Sequence, residues 1–72
     1  RRRAAMTDAV EIPVRVLNET DKAWLMTKEP FGRRFAHWEP KSRVQIPDRN
    51  EVKPMHTSVM PRAYALSRGW LK

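Results

Sequence analysis

The stretch Val10-Glu11-Ile12-Pro13-Val14-Arg15-Val16-Leu17 limits this chain more than any other. Apolar β-branched residues stand at 10, 12, 14 and 16. In an extended chain, side chains two apart share a face, so the pattern predicts a half-buried strand whose apolar side needs cover. Pro13 falls on the opposite parity. It has no N–H to give a ladder, which asks for an edge position or a bulge.

The cover has to be found within 72 residues. A domain this small buries only about 60% of the surface its unfolded chain exposes, so its large side chains matter individually. There is no cysteine, which removes disulfides and thiolate zinc sites as supports. Three Trp, two Phe, one Tyr, four Met and the aliphatics must make the core.

The rest of the chain continues in short pieces. Asn18-Glu19-Thr20-Asp21 is polar turn material, with Glu19 and Asp21 expected to be solvated. Lys22 to Thr27 reads as a second strand, hairpin-paired with the first. Lys28 to Gly32 reads as a loop, and Arg33 to Trp38 as a strand that Pro40 breaks. Arg43-Val44-Gln45-Ile46 is a short strand with Val44 and Ile46 inward, residues 47–54 are a charged loop, and residues 55–60 make a last strand. Residues 61–68 form a helix, with Pro61 at its first position and Gly69 as its left-handed stop. Trp70 then folds back on Tyr64 or Ala65 as an anchor.

This order predicts a mostly β chain with a C-terminal helix: a small antiparallel barrel or strongly bent sheet of about five strands, SH3-like or OB-like, with the helix plugging one end. Residues 10–72 are expected to form the single domain. Residues 1–9 read as a disordered basic arm, with Met6 as a natural start and Arg1 to Ala5 as partly vector-derived.

The formal charge of +7 invites a nucleic-acid partner. Without Arg1 to Arg3 the count is twelve basic against eight acidic residues, a net of +4, ordinary for a soluble protein. No apolar run approaches a membrane span, and no signal-peptide pattern is present. The chain reads as cytoplasmic, with no membrane partner.

Chemistry-bearing motifs are scarce. No Gly-x-Ser-x-Gly elbow surrounds a serine, only Gly32 and Gly69 occur, and the carboxylates sit in turns. His37 and His56 lie in no ligand spacing and read as hydrogen-bonded surface residues. The expectation is no enzyme, no catalytic residue, no metal and no cofactor. Binding residues are a different matter. Arg33 and Arg34 follow Phe31 at a predicted loop tip, a phosphate or acidic-partner contact that reads equally well as a solvated tip guarding an edge strand.

His37-Trp38-Glu39-Pro40-Lys41-Ser42-Arg43 permits two readings. Trp38 is expected to pack inside with Trp24, as small domains need their aromatics. Alternatively Trp38 is an exposed stacking platform flanked by Arg33, Arg34, Lys41 and Arg43, the aromatic-plus-cation composition that suits single-stranded nucleic acid. Arg62 and Arg68 on the helix complete the candidate surface.

Three stretches taken in order resemble a group of short, uncharacterised phage and prophage proteins: Lys22-Ala23-Trp24-Leu25, then Trp38-Glu39-Pro40-Lys41-Ser42, then Pro61 to Gly69-Trp70-Leu71. The resemblance covers roughly residues 17–71. This chain departs from the group at Pro61-Arg62-Ala63-Tyr64-Ala65, where Pro-Glu-Trp-Leu-Ala is usual, and in being basic after Glu51. It implies a mobile-element origin in a bacterial host. The functional expectation is a phage accessory protein that binds nucleic acid. The alternative is a small inhibitor of a host protein, such as an anti-CRISPR or other anti-defence factor, seated on an acidic site. A minor structural or assembly component is a third reading.

Overall fold

In a computed structural model, residues 8–28 and 32–71 are described, apart from the side chain of Arg33. The elements are β1 (Ala9–Glu19), β2 (Ala23–Thr27), a 3-10 helix (Gly32–Phe35), β3 (His37–Pro40), β4 (His56–Pro61) and α1 (Arg62–Arg68). The four strands form one antiparallel sheet in the order β3-β2-β1-β4. The expected mostly β chain with a C-terminal helix is present. Among the described residues the sheet has four strands rather than five, and it does not close.

Pro13 finds a solution other than an edge strand or its own bulge. β1 pairs with β4 through Ala9 to Val14 and with β2 through Arg15 to Glu19. Val59 exchanges both backbone bonds with Gln45, on the side of β4 away from β1. Its opposite residue Glu11 and, two along, Pro13 are therefore in non-hydrogen-bonded pairs with β4. The nitrogen of Pro13 faces the β2 side, where that ladder begins only at Arg15. An interior strand accepts proline because its two neighbours occupy different halves of it. The β1–β2 hairpin has its irregularity later, between Val16 and Asn18. Its turn is held by Thr20, whose N–H donates to the Ala23 carbonyl and whose Oγ1 accepts from the N–H groups of Lys22 and Ala23.

Ile12 and Val14 are buried on one face of β1, as the alternation predicts, with Val10 and Val16 packed at their margin. Trp24 and Met26 extend this face across β2, and Met60 across β4. Val44 and Ile46 lie inward as expected, but Arg43 to Ile46 makes a single bridge, Gln45 to Val59, rather than a strand. The Trp24 indole N–H donates to the Val44 carbonyl at 2.9 Å, tying that irregular segment to the sheet.

The helix closes the core. Pro61 is the last residue of β4 and the helix N-cap, with φ −61° and ψ 142°, not the first helical residue. Gly69 takes the expected left-handed turn at φ 85°. Past it, the Trp70 N–H returns to the Ala65 carbonyl at 2.9 Å and the Trp70 ring is buried. Seven residues are too few for a helix to persist alone in water. Burial of Ala65 and of Trp70 just beyond the helix holds α1 in place.

The predicted strand from Arg33 to Trp38 divides. Its first part is the 3-10 helix, which places Arg33 and Arg34 on a helical turn rather than on an extended arm. Phe35 ends that turn and meets Trp70 edge to face, with centroids 5.4 Å apart. Only from His37 is the chain extended.

Candidate nucleic-acid interface

Within β3 successive side chains alternate between faces. Glu39 lies opposite Trp24 and His37 opposite Met26, so these two residues share the core face. Trp38 lies opposite Leu25, on the other face. Trp38 is 46% exposed and Glu39 is completely buried. The expectation that Trp38 packs inside with Trp24 is therefore wrong, and the glutamate takes the interior place.

A carboxylate in a core requires donors. Tyr64 donates its hydroxyl to Glu39 Oε1, Trp70 donates Nε1–H to Oε2 at 2.8 Å, and Arg68 Nε reaches both oxygens at 3.2 and 3.0 Å. Tyr64 and Arg68 are four apart and so share one side of α1, while Trp70 arrives through the Gly69 turn. Burial pushes the Tyr64 hydroxyl above its ordinary pKa, and the bond to Glu39 adds to this. The same glutamate raises the pKa of Arg68. His37 lies edge-on to Phe35 and Trp70, at 5.0 and 5.8 Å between centroids. Both inward residues of β3 thus contact the C-terminal segment.

The expected basic contacts separate into groups. Lys41 is held by Glu19 at 2.7 Å and lies over the Trp24 ring at 4.4 Å. Glu19 also takes Arg49, so it is paired rather than merely solvated, and the Lys41 bond holds its carboxyl below the usual range. Arg68 is engaged with Glu39. Arg43 is exposed, its guanidinium 5.8 Å from the Tyr64 ring centre. Arg34 and Arg62 are exposed. Phe31 and the Arg33 side chain lie outside the described residues. Arg34 precedes β3 and Arg43 follows it, so the two bracket Trp38 along the chain.

His56 is buried, contrary to the surface position expected of it. Its Nε2 is 2.9 Å from the Glu51 carbonyl and its Nδ1 has no partner among the described residues. Among the described residues no group of three or more His, Cys, Asp or Glu is placed to hold a metal ion, and no helix is long and apolar enough to cross a membrane. The chain matches no family model, no curated protein and no solved structure.

Sequence reasoning missed Glu39. One signal pointed towards it: Tyr64, Arg68 and Trp70 are three side-chain donors, two of them spaced for one helical face, and a buried carboxylate is an acceptor that can take all three.

Proposed function

We propose that this chain is a non-enzymatic accessory protein of phage or prophage origin that binds single-stranded nucleic acid in the cytoplasm of a bacterial host. Trp38 is the stacking platform, and Arg34 and Arg43, which flank β3 along the chain, are the proposed phosphate contacts, with Arg62 as a further cation. The supporting observation is the exposed Trp38 ring on the solvent face of an edge strand. A base stacked on an aromatic side chain contributes about 1–3 kcal/mol and tolerates sequence change. An SH3-like or OB-like kinship belongs to this proposal: a bent sheet offers one face while the C-terminal helix covers the other.

A host protein as partner is the second reading, with the chain acting as an anti-defence inhibitor. It is favoured by the ion pairs that occupy Lys41 and Arg68, and by apolar Leu25 directly across from Trp38. An interface of that kind would centre on an aromatic anchor.

Fluorescence anisotropy with labelled oligo(dT), oligo(U) and duplex DNA separates the two. Under the nucleic-acid reading, a chain starting at Met6 binds the single strands at physiological salt. Trp38→Ala weakens it by roughly tenfold or more, and the paired change of Arg34 and Arg43 to Ala flattens the slope of log affinity against log salt by about 1.4, the single-strand value for two phosphate contacts. Binding that needs Arg1 to Arg3, or no binding, overturns that reading and leaves the protein partner.

A further inference from the structure

We propose that Glu39 is a positioning residue for the Trp38 surface: its clasp on Tyr64, Arg68 and Trp70 holds edge strand β3 in the sheet and couples occupation of Trp38 to docking of α1. The part about occupation rests on the nucleic-acid reading above. The part about β3 does not.

β3 has four residues and one strand neighbour, β2. So short an edge strand gains little from its ladder, and strands with one neighbour fray first. Its remaining support comes from the core side, where Glu39 receives three donors and His37 abuts Phe35 and Trp70. Each donor to Glu39 comes from α1 or from the residue just past its glycine cap. The backbone of Trp38 is continuous with that of Glu39, about 3.8 Å between consecutive Cα atoms, and the two side chains lie on opposite faces. Whatever holds the carboxylate therefore holds the stretch of backbone that carries the indole.

Edge strand β3 and the helix are joined through Glu39, with the His37 ring beside it against Trp70. Ligand that favours the ordered β3 must also favour the docked α1, and by linkage the reverse holds. Spending a completely buried carboxylate here is costly unless every donor is in place, so release is cooperative rather than gradual.

Amide hydrogen exchange on the full chain tests the device directly, using Tyr64→Phe and Glu39→Gln. Both retain the shape of the side chain; the second turns an acceptor-only group into one that also donates. The expected result is exchange about tenfold faster in β3, as the loss of a charge-assisted bond implies, with the Ile12, Val14, Ser58 and Met60 amides unchanged. Oligo(dT) titrations well below the melting temperature should show several-fold weaker binding for both variants, and saturating oligo(dT) should slow exchange at Trp70 and Leu71 in the unmodified chain. Uniform acceleration over the whole sheet, or no change in β3, overturns the positioning role. Absence of oligonucleotide binding by the unmodified chain overturns the nucleic-acid reading instead, and the exchange pattern in β3 still decides whether Glu39 positions the strand.

Discussion

Glu39 and Tyr64 are the pair whose removal is most informative at the scale of single residues. Tyr64→Phe takes one donor from a buried carboxylate and should cost about 1–2 kcal/mol, read by urea denaturation at neutral pH. The alkaline limb gives a second signature. The folded state holds the Tyr64 pKa above its ordinary value, through burial first and then Glu39, so the neutral hydroxyl is the favoured form in the fold. That contribution is fully present below about pH 10, the unfolded value, and is lost as pH rises through the folded one. Stability should fall above about pH 10 more steeply in the unmodified chain than in Tyr64→Phe. Parallel curves would show that Tyr64 is not the group responsible. The His37-to-Pro40 stretch was legible in composition and illegible in direction. Apolar alternation would turn Trp38 inward, but the three donors reward burying Glu39, and the apolar residue is left outside.

Among the elements, the 3-10 helix and α1 differ in how clearly the chain announces them. The helix boundaries follow from chemistry visible in the sequence: proline where the strand ends, good helix formers between, and glycine where φ must be positive. Gly69→Ala tests the last of these. An added Cβ would lie 3.8 Å from Phe35 Cζ, an ordinary contact, so the cost is that of the left-handed backbone, about 1–2 kcal/mol. A melting temperature unchanged by this substitution would show that the Gly69 turn is not needed to seat Trp70. The 3-10 helix carries no such signal. Arg33-Arg34-Phe35-Ala36 suits an extended chain equally well, and what decides against it is distant in sequence: Phe35 reaches Trp70 by turning. The segment at residues 47–55 is also organised by partners a pattern does not reveal. Asp48 accepts the Thr57 N–H and pairs with Lys53, which holds its carboxyl below the ordinary range. That contribution is present above the ordinary aspartate value and lost as pH falls through the lower folded one. The acid limb of the stability profile should therefore be shallower in Asp48→Asn, and an unchanged limb would remove Asp48 from the account.

For the whole molecule, the alternating apolar face of β1 was enough to foresee a sheet with one covered face, and the helix that covers it was legible separately, in residues 61–68 between Pro61 and Gly69. Closure was not foreseeable in that way. Whether a bent sheet meets its own edge depends on the length and pairing of every strand, and here the Arg43 to Ile46 segment reaches β4 with one residue only. The division of β1 at Pro13 has a kinetic consequence. The half that meets β2 closes through a turn of a few residues, whereas the half that meets β4 joins Pro13 to Thr57 across most of the chain. Local pairings form before distant ones. In stopped-flow experiments, Thr20→Ala at the hairpin turn should slow folding, whereas Ser58→Ala, which removes the bond to the Ile12 carbonyl, should mainly hasten unfolding. Until β4 arrives, the half-apolar stretch 9–14 is an unpaired template open to any passing strand, so the chain is most prone to aggregate in the interval before residues 56–61 dock.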